Sequence, residues 1–440
     1  MKKFRCIIVL LLLSGFNSQG FSQTGTDKMQ WFRDAKLGIF IHWGIYAVNG
    51  VTESWSFHNR EVSYADYMKQ LNGFTASKYN PQQWVDLIKT TGAGYAVLTT
   101  KHHDGVALYP TKLNDLTVIK KTPARRDLAT PFFDVLRKSG IKVGAYYSLL
   151  DWSHPDYPGF LKDSSRYNRE SDPARWARFL AFCHGQIDEI NDLYKPDLWW
   201  FDGDWEQPGE VWQAKHIREM ILAKQPGAIL NSRLGEYGDY STPEQNMPIV
   251  HPDRPEWELC MTPNLNWGYR PTDTAYKTPY ELITIFADVV GRGGNLLFDI
   301  APREDGTLPA QQVAQLNALA RWNNKHREAI FGTVAGLPEG HYYGPSTLSK
   351  DSTTLFLFLP SQAAGKLMIK GLVNNIQSIE VVGNGQKLGH KVVGKISWTT
   401  VPGLVYVDAI PAIARDQDMT VLKLKLDGKL NLYRGKGGFH

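Results

Sequence analysis

Cysteine is scarce in this chain, with three in 440 residues. The first, Cys6, falls inside an N-terminal stretch that reads as a leader, so only Cys183 and Cys260 remain to be explained. Two cysteines in a chain of this size make no disulfide framework, and both are expected to be buried thiols. There is no short internal repeat of the solenoid kind and no low-complexity tract, which argues against repeat arrays and disordered scaffolds. After the leader no apolar run is long enough to span a bilayer, so no membrane span is expected. No glycine-rich dinucleotide turn follows the first candidate strand, which counts against an open nucleotide-binding sheet. The net charge is only +5, and Lys2, Lys3 and Arg5 already contribute to it. Neither a nucleic-acid partner nor a membrane surface is implied by so small an excess.

The leader has a basic start from Lys2 to Arg5, an apolar run from Cys6 to Leu13, and small or polar residues to about Gln23. That is the pattern of a cleavable signal peptide over residues 1–23, and it predicts a periplasmic or secreted protein. Cys6 comes too early, and no cysteine follows the run, so a lipoprotein anchor is not expected. Aromatic residues are plentiful, with 14 Trp and 20 Tyr. Sugar-binding clefts use such rings as flat platforms with a polar edge, although core packing accounts for most of them.

Buried strands and helical segments alternate along the first three quarters of the chain. Leu37–Trp43, Tyr95–Thr100, Lys142–Ser148, Leu198–Phe201, Ala228–Asn231 and Asn295–Ile300 read as strands buried on both faces. Helical spacing covers Pro81–Thr91, Pro131–Lys138, Pro173–Tyr194, Trp212–Lys224, Pro279–Val290 and Pro309–His326. Strict alternation predicts a parallel sheet, and at this length a closed (β/α) barrel of the TIM type over residues 24–335. Beyond about Ile330 the helices stop. Thr354–Phe358, Lys366–Ile369, Ile376–Val382, Thr399–Leu404 and Thr420–Leu426 are short β-prone segments, so residues 336–440 are expected to form a C-terminal β-sandwich domain.

In such a barrel the C-terminal strand ends carry the chemistry. Those ends supply His42, the run Lys101-His102-His103-Asp104, Tyr147 and Asp151, Asp202 with Asp204 and Trp205, Arg233, and the pair Glu256 and Glu258. Ionisable groups at most strand ends point to a polar substrate rather than to packing. Asp202 is the sharpest of these, an acid emerging directly from the buried Leu-Trp-Trp-Phe run. Glycosidases need two carboxylates. Glu258 is the second candidate, because Trp257, Leu259 and Met261 are apolar enough to raise a carboxyl pKa toward that of a general acid. Glu256 and Glu53 are the other contenders. The His102-His103 pair invites a metal reading, but consecutive strand residues face opposite ways, so hydrogen bonding to hydroxyls is preferred and no metal is expected.

Five motifs then occur in order: Gly-Ile-Phe-Ile-His-Trp-Gly (38–44), Thr-Lys-His-His-Asp-Gly (100–105), Leu-Trp-Trp-Phe-Asp-Gly (198–203), Trp-Glu-Leu-Cys-Met-Thr (257–262) with Asn-Trp-Gly-Tyr (266–269), and Gly-Gly-Asn-Leu-Leu-Phe-Asp-Ile-Ala-Pro (293–302). Together they resemble glycoside hydrolase family 29, the α-L-fucosidases, from about Trp31 to His326. The resemblance implies a nucleophile at Asp202 and an acid/base at Glu258. It implies a sugar site lined by His42, His102, His103, Tyr147 and Arg233, with the aromatics Phe40 and Trp200 nearby. Both histidines in one site imply a bend after Lys101. Many members carry Glu-Trp directly in the first long loop; here the chain reads Glu53-Ser54-Trp55, and Trp55 is taken as a substrate-binding residue.

The activity so implied is retaining hydrolysis of terminal α-L-fucosyl residues from a fucosylated glycan by double displacement, with no cofactor. Two competitors stand beside it. An α-L-galactosidase on the same scaffold would differ by one hydroxyl on the sugar methyl, which an apolar pocket rejects only weakly. A non-catalytic sugar-binding protein would keep the aromatics but could lose either carboxylate.

Overall fold

A computed structural model describes residues 27–360, 363 and 365–436. The leader read above lies outside the described residues. Seven parallel strands form one curled sheet: β1 (Leu37–Ile41), β2 (Tyr95–Lys101), β3 (Lys142–Ser148), β4 (Leu198–Asp202), β5 (Ile229–Leu230), β6 (Glu258–Met261) and β7 (Asn295–Ile300). Their spatial order is β5-β4-β3-β2-β1-β7-β6. Six of the seven coincide with strands read in the sequence, while β6 was not foreseen as one.

Between β5 and β6 an irregular segment fills the gap in the wall. Tyr240 bridges to Asn231 just beyond β5, Ser241 bridges to Trp257, and Glu244 bridges to Cys260, all in the parallel sense. Backbone bonds from Glu258 N to Ser241 O (2.9 Å) and from Cys260 N to Pro243 O (3.1 Å) lace it to β6. Proline at 243 removes one donor from this ladder, which is why the segment does not pair as a regular strand.

Period-two alternation sorts the strand side chains into two layers. Phe40, Tyr95, Val97, Tyr146, Leu198, Trp200, Ile229, Cys260 and Leu297 cluster inside the barrel. Their neighbours Ile39, Ile41, Leu98, Tyr147, Trp199 and Phe201 pack outward against the helices. The helices begin where local chemistry satisfies their free N–H groups. Asn80 caps Pro81–Thr90, Asp172 caps Pro173–Tyr194, and Thr278 with Glu281 forms a capping box on Pro279–Gly291.

Antiparallel strands start at Val334. A five-stranded sheet combines β8 (Val334–Ala335), β9 (Ser346–Leu348), β10 (Thr354–Pro360), β12 (Ile376–Val381) and β15 (Met419–Leu426). A three-stranded sheet combines β11 (Leu367–Lys370), β13 (His390–Val393) and β14 (Leu404–Val407). Leu355, Leu357, Leu422 and Leu424 of the first meet Ile369, Val405 and Val407 of the second, so the sheets form a sandwich. The expected strand Thr399–Leu404 is displaced, since pairing begins only at Leu404. The outer face of the larger sheet packs on the barrel: Trp322 donates its indole N–H to Met419 O (2.8 Å), and its ring contacts Phe358.

Both remaining cysteines are buried free thiols. No helix among the described residues is long and apolar enough to cross a membrane.

Candidate active site

A cavity of about 330 Å³ opens at the C-terminal ends of the barrel strands. Aromatic rings of Phe40, Trp55, Tyr146, Trp200, Trp205 and Trp267 line it, together with His42, His102, His103, Arg233, Asp202, Glu53 and Glu244. Three carboxylates, three imidazoles and one guanidinium thus face an aromatic-walled pocket.

Asp202 is the last residue of β4, and Gly203 follows with φ +81°. That left-handed turn suits glycine, and a Cβ there would collide with Leu150. The carboxylate accepts from Tyr146 Oη at 2.9 Å and from Arg233 Nη1 at 2.6 Å. His103 Nε2 stands 3.7 Å from the same group. These donors hold Asp202 in one orientation, with an oxygen presented to the cavity.

Arg233 lies just after β5, and its ring contact with Trp200 (4.5 Å to the centroid) fixes the guanidinium plane. Its second arm, Nη2, donates to Glu244 Oε2. One guanidinium therefore joins the two carboxylates of the pocket mouth. Such a bridge spans no more than roughly 7 Å between the bonded oxygens, close to the ~5–5.5 Å carboxyl spacing of retaining glycosidases.

Both histidines of the 101–104 run line the cavity. Regular alternation would have separated them, but the β2–β3 register shifts between Thr99 and Lys101, and the chain turns. His102 Nδ1 pairs with Ser54 Oγ and His103 Nδ1 with Ser148 Oγ, each at 2.6 Å. Those hydroxyls occupy one ring nitrogen and leave the other for the cavity. Burial pushes His42, His102 and His103 all well below the ordinary imidazole value, so they face the pocket as neutral rings. Among the described residues no group of three His, Cys, Asp or Glu side chains is arranged to hold a metal ion.

Of the strand-end residues named from the sequence, Lys101, Asp104, Asp151, Asp204 and Glu256 do not line the cavity, and neither do Tyr147 and Glu258, to which the resemblance gave roles. Tyr147 points outward, its hydroxyl donating to Gln186 Oε1 at 3.0 Å in the layer beneath the helices. Alternation is the reason: Tyr146 lies in register with Trp200, and Ser148 with Asp202, so Tyr146 has their inward parity, whereas Tyr147 lies in register with the outward Phe201. Glu258 is the first residue of β6, opposite Asn295 at the start of β7, and so sits at the N-terminal end of the wall. Its carboxyl is fully buried, accepting from Trp200 Nε1 at 3.0 Å and from Tyr95 Oη. Burial pushes it up to about 7. The apolar neighbours that made it look like a general acid are the barrel interior itself. Glu256 is engaged with Arg33.

The α-L-fucosidase family model matches residues 16–328. The chain belongs to the α-L-fucosidase family of glycoside hydrolases. Human tissue α-L-fucosidase is 28% identical over 407 residues, covering 84% of this chain and 83% of that protein. The mouse tissue enzyme is 31% identical over 333 residues, covering 69% of this chain and 71% of that protein. Among solved structures, α-L-fucosidase isoenzyme 1 from Paenibacillus thiaminolyticus matches with a TM-score of 0.82 at 31% identity, covering 91% of this chain and 99% of that one. An α-L-fucosidase from Bacteroides thetaiotaomicron, solved as a trapped covalent intermediate with 2-fluoro-fucosyl fluoride, matches with a TM-score of 0.79 at 27% identity, covering 91% and 96%.

Four residues of this fucosidase pocket escaped the sequence reading. Tyr146 was hidden by its neighbour and is recovered by counting parity back from Asp202. Trp267 sat in a quoted motif without a role. Trp205 was noted after Asp202 but not as a wall. Glu244 carried no signal of its own, because the segment that bears it has neither alternation nor an apolar run.

Proposed function

We propose that the protein is an exo-acting, retaining α-L-fucosidase in which Asp202 is the nucleophile and Glu244 the acid/base. The observation that carries this reading is the bridge through Arg233, which joins these two carboxylates at the mouth of a single enclosed pocket. The cavity lies at the low end of the roughly 300–1,000 Å³ range of ligand sites, enough for one sugar ring and therefore for a terminal residue. The relative trapped as a covalent fucosyl intermediate supports double displacement.

In the first step a lone pair of Asp202 forms the bond to the anomeric carbon. The glycosidic C–O bond breaks, and Glu244 gives its proton to the departing oxygen. The product is a fucosyl ester on Asp202 and a free alcohol. Ester formation removes the charge of Asp202. Arg233 is then left to stabilise Glu244 as a carboxylate, the form that takes a proton from water. That water attacks the same carbon, and Asp202 leaves. Tyr146 and Arg233 stabilise Asp202 as it leaves, and the neutral histidines can donate to and accept from the sugar hydroxyls. Phe40, Trp200 and Trp267 supply apolar surface for the fucose methyl, worth about 0.8 kcal/mol when buried.

A second reading gives the acid/base role to Glu53, which lines the same pocket and whose carboxyl burial pushes up to about 7. It is only 2% exposed and accepts from the Gly268 N–H, whereas the Glu244 side chain is 39% exposed at the mouth, where a leaving group departs. Leaving-group dependence separates them. Glu244→Gln is expected to cripple hydrolysis of poor leaving groups while sparing the first step for activated aryl fucosides. Azide should then restore turnover and yield α-fucosyl azide. If Glu53→Gln shows that pattern and Glu244→Gln does not, the acid/base role moves to Glu53. The leader at residues 1–23 supports export of this activity.

A further inference from the structure

A second cavity, of about 590 Å³, adjoins the sugar pocket and shares Trp205 with it. We propose that it is the leaving-group subsite, built to hold a neutral disaccharide whose first ring lies on Trp205. This inference rests on the catalytic reading above and extends it to the substrate beyond fucose.

Trp205 is the hinge of the argument. It is 51% exposed, an unusual state for the largest apolar side chain, and it stacks on Trp55 with 19° between the rings. A broad ring held flat at a pocket mouth is the kind of surface on which a sugar face packs. The cavity that continues from it is lined by His58, Phe160, Lys162, Asp163 and Gln207. His58 stacks on Trp152 and contacts Trp55, so the two cavities share one aromatic wall.

The wall is preformed. Arg166 donates to the carbonyls of Trp152, Tyr157 and Gly159, pinning the loop that carries Phe160 and Lys162. Lys162 N donates to His58 O at 2.8 Å. Glu206 accepts from Trp152 Nε1 and Tyr157 Oη and fixes the segment between Trp205 and Gln207. A rigid wall spares the ordering cost of binding.

By contrast, the side chains of Lys162 and Gln207 make no hydrogen bond among the described residues, although both line the cavity. They are the donors and acceptors available to hydroxyl groups. Lys162 faces two carboxylates, Asp163 and Glu206, so the lining carries an excess of negative charge that disfavours a sialylated or sulfated glycan. Another cavity, lined by Pro243, Val250 and His251, shares no residue with the sugar pocket.

The test compares the wild type with a Lys162→Ala/Gln207→Ala double variant on 4-nitrophenyl α-L-fucoside and on fucosyllactose. For the trisaccharide kcat/KM is expected to fall roughly tenfold, mostly through KM, while the aryl fucoside stays within about twofold. Equal effects on both substrates, or none on the trisaccharide, would overturn the proposal. Lactose alone supplies an arm independent of turnover. Saturation-transfer NMR should show it bound to the wild type and weakened in the double variant; no binding to the wild type also overturns the subsite. Failure of the wild type on the aryl fucoside would instead strike at the catalytic reading, and lactose binding would still decide the subsite.

Discussion

Glu244 stands level with Cys260 on β6, two residues nearer the C-terminal end of the barrel wall than Glu258. That small offset separates a carboxylate at the pocket mouth from one sealed inside the barrel. Both belong to the same stretch of wall, and both have acidic chemistry suited to a glycosidase. The first lines the cavity and the second does not.

The sealed position of Glu258 fixes what its variants should do. Glu258→Ala takes the acceptor away from the Trp200 Nε1–H and Tyr95 O–H donors, each at a cost of about 1–3 kcal/mol. A large fall in Tm is expected. Glu258→Gln can still accept from Trp200 and donate to Tyr95, so kcat/KM should stay within about fivefold of wild type. The pH dependence follows from the upward shift of this carboxyl from 4.5 to about 7. The native state keeps the proton where the unfolded chain has lost it, so stability falls as pH rises across that window. Urea denaturation from pH 4.5 to 8 should show a shallower decline for Glu258→Gln. Glu53, shifted to about 7, preserves part of the slope. An unchanged slope would show that Glu258 is ionised in the native protein.

Tyr146 and Tyr147 offer a paired test of the barrel parity. Tyr146→Phe removes a hydrogen bond to the Asp202 carboxylate worth about 1.5–3 kcal/mol, so kcat/KM should drop roughly ten- to hundredfold with little change in Tm. Tyr147→Phe removes a bond to Gln186 in the outer layer. It should cost about 0.5–1.5 kcal/mol of stability and leave kinetics alone. Steady-state kinetics and thermal melts on the two variants settle which tyrosine serves the site.

Arg233 should not tolerate lysine. Its two arms reach Asp202 and Glu244 at once, a geometry that one ammonium cannot copy. Arg233→Lys is expected to lower kcat/KM by about two orders of magnitude, in line with the roughly 1.5–3 kcal/mol carried by one charge-assisted hydrogen bond that a single ammonium would forgo. An Arg233→Lys enzyme with near-normal rates would mean that the bridge does not organise the carboxylates.

Most of the barrel was legible because strands buried on both faces announce themselves as apolar runs, and Asp202 announced itself by ending one. His42 and Arg233 were legible for the same reason, each falling just past a strand. What stayed hidden was whatever depended on exact register. Parity decides between Tyr146 and Tyr147, and a motif that names neighbours does not carry parity. The segment Tyr240–Glu244 lacks alternation and contains Pro243, so nothing in its composition marks it as barrel wall, and Glu244 was hidden with it. The run at 101–104 shows the converse. Strand rules separate His102 from His103, and only the register shift after Thr99 reunites them.

The last prediction concerns the pair His42 and Asp299 beneath the sugar pocket. Asp299 lies on β7 in register with Phe40 and is fully buried. Neither of its oxygens, and neither ring nitrogen of His42, has a hydrogen-bond partner among the described residues, yet His42 Nδ1 and Asp299 Oδ1 are 3.8 Å apart. Burial pushes Asp299 well above the carboxylate range, with Glu53 adding in the same direction, and pushes His42 well below its ordinary value. Both shifts favour the uncharged forms, so the imidazole packs beside the Asp299 carboxyl as a close contact rather than as an ion pair. Asp299→Asn keeps shape and neutrality, so kcat/KM should remain within about threefold, and stability above pH 7 should equal or exceed wild type because no acid is left to ionise. Asp299→Leu removes the polar group that packs beside His42, and roughly a tenfold loss in kcat/KM, carried mainly by KM, is expected at preserved Tm. Kinetics on an aryl fucoside at pH 5–8 and urea titrations of both variants provide the check. If Asp299→Asn were as damaged as Asp299→Leu, the site would require an ionised carboxylate, and the neutral pair would be wrong.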